Sequence, residues 1–112
     1  MAQPYLDKLE ALVGKHCAGA QDLTCKHFFS GAALYCNARM CASLGPKGLA
    51  FKLELARSAA VIARGEAEPL RYFEKSPVKK GYILLPNFAR LKAGELQAYF
   101  EECLAYANHS RD

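Results

Sequence analysis

Two short segments of the chain carry residues that bind metals or act as nucleophiles. Cys25 and His27 alternate along an extended stretch, so a thiol and an imidazole share one face, and His16–Cys17 lies a short loop earlier. Four such ligands could surround a zinc ion, but the tight pair of ligands that structural zinc sites draw from a turn is missing. We therefore expect no metal and no cofactor. Cys17, Cys25 and His27 remain the candidate ligands of an alternative function, a small-ligand or metal-binding domain.

Catalytic chemistry is not expected from these residues. No third side chain is identifiable that would orient the imidazole of His27 and activate the thiol of Cys25. The chain has no serine nucleophile elbow, no glycine-rich phosphate loop and no carboxylate pair in an apolar context. We therefore expect a protein that is not an enzyme. The other thiols are expected to be small apolar core residues, as free cysteines usually are; they are Cys36, Cys41 and Cys103.

Basic and aromatic residues alternate in the segment from Arg71 to Tyr82, which includes Tyr72 and Phe73. Such residues contact phosphates and stack on bases. Because nearby glutamates dilute the charge, direct DNA contact is expected to be weak. Lys52 lies within an apolar strand, and we expect it to extend from the open face of the sheet. The candidate contacts for a partner or nucleic acid are Lys52, Arg71, Lys75, Lys79, Lys80 and Tyr82.

Length and composition restrict the architecture. The 112 residues, of which 52% are hydrophobic and 23% charged, suit one compact domain and are atypical of disordered chains. Fifteen Lys and Arg against eleven Asp and Glu leave a net charge of +4. The polar N-terminus has no apolar region of a signal peptide, and the five cysteines are an odd number. We expect a cytoplasmic protein that does not enter a membrane.

Hydrophobic spacing predicts the order α-β-β-β-α-β-β-α. Helical periodicity covers Pro4–Val13, with Gly14 ending the helix, and returns at Glu54–Arg64 and from Gly94 onward. Short apolar runs separated by turn residues predict five strands; the predicted runs are Ala32–Cys36, Met40–Leu44, Leu49–Leu53, Leu70–Phe73 and Gly81–Leu85. We therefore expect an α+β two-layer sandwich, with the helices on one face of an antiparallel meander sheet.

Asn37 and Ala38 are predicted to form a two-residue hairpin turn. With that turn, Tyr35 faces Met40 and Leu34 faces Cys41. Strand alternation then places Ala33, Tyr35, Met40, Ala42 and Leu44 on one side of the sheet. The other, uncovered side would carry Leu34, Cys36 and Cys41 with Arg39 and Lys52. A register shift of one residue would exchange these faces, so the choice stays open at this point.

The residues from His27 to Met40, together with those from Gly48 to Leu53, resemble the N-terminal domain of the TfoX/Sxy family of bacterial competence regulators. Phe29 and Gly31 match the family's Met-Phe-Gly-Gly stretch, with Phe28 and Ser30 in place of Met and the first Gly. Asn37–Ala38 stands where Asp-Gly is usual. Lys52 occupies the position of the family's strand lysine, and Lys79–Lys80–Gly81–Tyr82 with Leu85–Pro86 resembles the closing strand. The resemblance spans essentially the whole chain.

The resemblance implies a sandwich similar to the YgaC-like and secretion-chaperone-like domains. It also implies a non-enzymatic role in regulating DNA-uptake genes through a protein partner in the transcription machinery. Full regulators of the family carry a second, helical domain, whereas residues 1–112 are expected to form a single N-terminal-like domain without it. Homodimerisation and weak direct binding of nucleic acid remain alternatives.

Overall fold

A computed structural model describes residues 3–71 and 75–109. Its elements, in chain order, are α1 (Gln3–His16), β1 (Leu23–Phe28), β2 (Gly31–Cys36), β3 (Arg39–Gly45), β4 (Gly48–Lys52), α2 (Leu55–Ala63), β5 (Glu68–Pro69), β6 (Tyr82–Leu85), a 3₁₀ turn (Phe88–Arg90) and α3 (Ala93–His109).

The strands of the described residues form one six-stranded sheet in the order β1-β2-β3-β4-β6-β5, and every neighbouring pair is antiparallel. Leu9 of α1, Val61 of α2 and Phe100 of α3 belong to one buried cluster with Leu34 and Phe51 of the sheet. The three helices therefore cover the same face, which we call the helix face. The predicted α+β class, the antiparallel meander and the placement of the helices are confirmed.

The meander has one strand more than the five predicted. The missed strand, β1, lies at the edge of the sheet and pairs only with β2 among the described strands. Its residues are half-buried or exposed, so it lacks the apolar run by which the other strands were recognised. The strand predicted at Leu70–Phe73 is also wrong where the structure describes it. Strand β5 is Glu68–Pro69, Leu70 and Arg71 follow it, and residues 72–73 lie outside the described part of the chain.

The β2–β3 turn confirms the predicted hairpin. Asn37 and Ala38 have φ values of 53° and 66°, the left-handed conformation that a two-residue turn of this type requires at both positions. Cys36 pairs with Arg39, and Tyr35 pairs with Met40 as predicted.

One step further along, the predicted pairing of Leu34 with Cys41 is wrong. A bulge after Leu34 shifts the register, and Leu34 pairs with Ala42 instead. The extra residue in β3 brings Ala42 and Leu44 to the helix face, away from the side of Tyr35 and Met40.

The predicted faces are therefore exchanged in β2 and at the start of β3, whereas Ala42 and Leu44 lie on the helix face and Lys52 on the uncovered side, as predicted. Leu34, Cys36 and Cys41 lie in the core beneath the helices and not on the uncovered side. The opposite side, which we call the second face, carries the smaller cluster of Ala50, Leu70, Tyr82 and Leu84, with Met40 packed against it.

The core is built around aromatic rings and small thiols. The rings of Phe51 and Phe100 meet edge to face at 4.9 Å, and His16 stacks on Phe100 at 5.4 Å. Cys36, Cys41 and Cys103 are at most 1% exposed, so the prediction that they are core residues is confirmed. Helix α1 continues past the predicted stop at Gly14 to His16, whose imidazole Nδ1 lies 2.7 Å from the side-chain oxygen of Gln97 in α3. This bond ties the end of α1 to α3.

Candidate interaction surface and groove

The candidate metal ligands do not converge. Cys17 is buried, Cys25 is half-buried on β1, and His27 is exposed on the same strand. Within residues 3–71 and 75–109, no group of three His, Cys, Asp or Glu side chains is arranged to hold a metal ion. Burial raises the pKa of the Cys17 thiol to about 11, and burial also raises the pKa of Cys25. Both thiols are therefore held in the protonated form, which is a poor nucleophile and a poor metal ligand.

Among the core thiols, Cys36 and Cys103 are equally unsuited to chemistry, whereas a hydrogen bond with Cys103 lowers the pKa of Cys41, which is fully buried. The Sγ of Cys103 lies 3.2 Å from the carbonyl oxygen of Phe100, and the Sγ of Cys36 lies 3.4 Å from the Oδ1 of Asn108. A hydrogen bond with Cys41, together with burial, raises the pKa of Cys103, and burial raises that of Cys36. These thiols pack and donate weak hydrogen bonds.

The basic residues predicted as contacts do come together, on the connection between β5 and β6. The backbone N–H of Lys79 donates to the carbonyl of Leu70 over 2.8 Å, which brings the two ends of the connection close to each other. The guanidinium of Arg71 donates to the carbonyl of Ser76 over 3.1 Å, within the same connection. The exposed basic residues of the connection, Arg71, Lys75, Lys79 and Lys80, are called the basic surface here.

Lys52 and Tyr82 extend this surface onto the second face. They are paired across β4 and β6, and the ammonium of Lys52 lies 5.9 Å from the centre of the Tyr82 ring. Tyr82 is only 6% exposed, and its hydroxyl donates to the sulfur of Met40 over 3.6 Å. Tyr82 therefore supports Lys52 from below and offers a partner little contact area of its own. The aromatic residues Tyr72 and Phe73 lie outside the described residues.

The second face also holds a groove that the sequence did not lead us to predict. Its volume is about 420 Å³, and it lies between the β1–β2 turn and the start of the β5–β6 connection. Phe28 and Phe29 line one side, whereas Leu70 and Arg71 line the other. The side chain of Lys47, from the β3–β4 turn, joins the second side by donating to the carbonyl of Arg71 over 2.9 Å.

Small residues in two neighbouring strands were the signal that could have revealed this groove. Ser43 and Ala50 pair across β3 and β4, and Gly45 pairs with Gly48 one step further along. Alternation puts all four on the second face, where their side chains leave space that larger residues would fill. The sequence alone does not show these small residues as a group, because they lie in different strands and only the folded sheet brings them side by side.

With this geometry in view, comparison with known proteins identifies the chain. The sequence model of the TfoX N-terminal domain matches residues 15–107. The chain belongs to the TfoX N-terminal domain family. No curated protein and no solved structure matched it significantly. The match includes all six strands of the described sheet and the residues of both the basic surface and the groove.

This TfoX N-terminal domain has, in its described residues, no helix long and apolar enough to cross a membrane. Its five cysteines are all free thiols. The resemblance stated from the residues is thereby confirmed at the level of the family, and the fold that it implied agrees with the α+β sandwich observed.

Proposed function

We propose that this TfoX-like protein is a non-enzymatic interaction module of the bacterial cytoplasm that binds a protein of the transcription machinery and so regulates competence-type genes. Membership of the TfoX N-terminal domain family carries the proposal. The regulatory role is the one that the resemblance to competence regulators implies.

The basic surface is the proposed contact with the partner. Lys75, Lys79 and Lys80 are exposed on one connection, and Lys52 lies beside them over Tyr82. Clustered cations of this kind favour a partner with an acidic patch, because complementary charge speeds association and selects the correct orientation. The net charge of +4 adds a weaker attraction at longer range.

The thiols support two further parts of the proposal, namely that the protein is not an enzyme and that it lies in the cytoplasm. Raised pKa values at Cys17, Cys25 and Cys36 disfavour the thiolate that cysteine-dependent catalysis needs. Cys41 has a lowered pKa but is fully buried, where a substrate does not reach it. Free thiols, four of them buried, suit a reducing compartment such as the bacterial cytosol.

The test uses deletion of the gene in its host, grown under conditions that permit DNA uptake. Transcripts of DNA-uptake genes are expected to fall, and the wild-type gene is expected to restore them. Lys75→Glu combined with Lys80→Glu is expected not to restore them. The matched control combines Lys8→Glu with Lys92→Glu, which makes the same change of charge at exposed sites outside the basic surface. Unchanged transcripts after deletion would overturn the regulatory role, and full activity of the Lys75/Lys80 variant would overturn the surface.

Direct DNA binding is a second candidate, favoured by the closeness of Arg71 and Lys79 on the same connection. Each phosphate contact releases counterions, so affinity for duplex DNA is expected to fall steeply with added salt. Lys79→Glu is expected to weaken binding and to reduce the salt slope by roughly one. A flat salt dependence would exclude this candidate.

A further inference from the structure

The groove on the second face has a floor of unusually small residues. Gly31 lies so close to β3 that a Cβ atom would collide with the carbonyl oxygen of Leu44. Gly45 differs, because a Cβ there would meet only the Cα of Gly31, at 4.0 Å. Together with Ser43 and Ala50, these positions leave a depression across β2, β3 and β4. The groove is thus a consequence of the residues chosen at these positions.

The aromatic side of the groove includes a residue in an uncommon backbone conformation. Phe29 has a φ of 52° and is 63% exposed, and its ring lies 4.4 Å from that of Phe28. A bulky residue is rare at positive φ, and an exposed phenylalanine contributes little to the core. Glycine or asparagine would suit the turn better. Residues held at such positions cluster at binding sites.

The opposite side of the groove is cationic. Lys47 donates to the carbonyl of Arg71, and Arg71 donates to the carbonyl of Ser76, so both charged groups are anchored to backbone oxygens. An ammonium carries three donors and a guanidinium five, so one bond each leaves donors for a ligand. The two ion pairs found in the described part of the chain, Arg57–Glu102 and Arg64–Glu66, involve neither residue.

We propose that the groove binds a small amphiphilic anion, with its apolar body between Phe29 and Leu70 and its carboxylate at Lys47 and Arg71. The volume of about 420 Å³ falls in the range of small-molecule sites, which are mostly apolar with a few polar groups that fix the orientation. At about 30 Å³ for each water-sized group, it accommodates roughly a dozen non-hydrogen atoms. A medium-chain fatty acid or an arylalkyl carboxylate has this size and charge. The groove shares only Arg71 with the basic surface, so the proposal does not depend on the partner of that surface.

Sodium decanoate, below its critical micelle concentration, is the probe for this site. Titration of the ¹⁵N-labelled protein is expected to give saturable amide shifts centred on Gly31, Ser43 and Gly45. Decyltrimethylammonium has the same chain with the opposite charge and is expected not to saturate the site. The same shifts appearing with decanoate-free anionic lipid vesicles, and not with decanoate, would assign the groove to a membrane headgroup and overturn the proposal.

Two variants and one control distinguish binding in the groove from non-specific association. Gly45→Leu fills the floor, because its Cβ makes only an ordinary contact with the Cα of Gly31, and is expected to abolish saturable binding. Gly94→Leu adds the same side chain at an exposed position and is expected to leave binding unchanged. Lys47→Gln removes one charge and is expected to weaken binding by about tenfold. Circular dichroism verifies that each variant is folded.

Wild-type binding by folded Gly45→Leu would overturn the proposal, as would equal binding of decanoate and decyltrimethylammonium. Shifts that lie outside the groove or rise without saturation would do the same. The variant Lys75→Glu/Lys80→Glu keeps the groove residues and is expected to bind decanoate normally. A failure of the ligand site is therefore distinguishable from a failure of the proposed interaction surface.

Discussion

Replacing Ala38 by glycine is expected to stabilise the protein, although the substitution removes a side chain. Ala38 has a φ of 66°, where the Cβ of an L-residue crowds the following carbonyl at a cost of about 1–2 kcal/mol. Glycine avoids that cost, but it also gives the unfolded chain more conformational freedom, which lowers stability by about 0.4–1 kcal/mol. Ala38 is exposed, so little packing is lost. The free energy of unfolding should therefore rise by about 0.7 kcal/mol.

Thermal unfolding followed by circular dichroism under reducing conditions measures this effect. A chain of 112 residues has an unfolding entropy of about 0.24 kcal/mol/K, so the midpoint should rise by about 3 °C. Ala18→Gly is the matched control, because Ala18 is an exposed turn residue that is not at positive φ. It is expected to lower the midpoint by a similar amount.

An unchanged or lowered midpoint for Ala38→Gly, with Ala18→Gly behaving as expected, would contradict this prediction. That result would mean that the left-handed turn costs less than the freedom that glycine adds to the unfolded chain. A repeat by urea unfolding would show whether the slope with denaturant, and hence the unfolded state, had changed.

Three further predictions concern packing and thiols. Gly31→Ala should lower the free energy of unfolding by about 2–3 kcal/mol, because the added Cβ meets the Leu44 carbonyl. Gly14→Ala, in open space on α1, should raise the free energy of unfolding by up to about 1 kcal/mol. Urea unfolding of the two variants checks both. The pKa of Cys17 is raised to about 11 in the folded protein from an ordinary 9.0, so the native state keeps this proton where the unfolded chain loses it. Stability should fall as pH rises from about 9 to 11, by up to about 1.4 kcal/mol per pH unit for this thiol, and a fall that is equally steep in Cys17→Ala would contradict the assignment. Under native conditions a maleimide should label the half-buried Cys25 first and the fully buried Cys103 last. Peptide mapping gives the order of labelling. Early labelling of Cys103 would show that the core opens more readily than its packing indicates.

Local signals made much of this fold predictable. The three helices follow from apolar residues at helical spacing, and the β2–β3 turn follows from an asparagine that tolerates positive φ. Helix α1 passes Gly14 because a glycine inside a helix costs only about 1 kcal/mol, which packing of α1 against β2 and α3 offsets. Strand β1 was missed for the opposite reason. An edge strand with polar residues on both sides carries no apolar run, and its pairing with β2 is what makes it a strand.

The sequence predicted which candidate contact residues lie near one another along the chain, but it did not predict which of them are exposed. Lys75, Lys79 and Lys80 are close in sequence, so their grouping on one connection follows from the chain itself. Tyr82 appears in the sequence to be one more aromatic contact, yet pairing with Lys52 and packing on Met40 bury it. Whether an aromatic ring faces a partner or the interior is decided by the neighbouring strand.

By itself, then, the sequence determined the class of the fold, the hairpin turn and the family, because each depends on local conformational preference or on short residue patterns. The tertiary structure decided which face of the sheet the helices cover. A single bulge after Leu34 reverses the alternation of side chains, and no local preference specifies where such a bulge lies. The groove has the same origin: Gly31, Ser43 and Ala50 form a floor only because strand pairing places three separate small residues side by side.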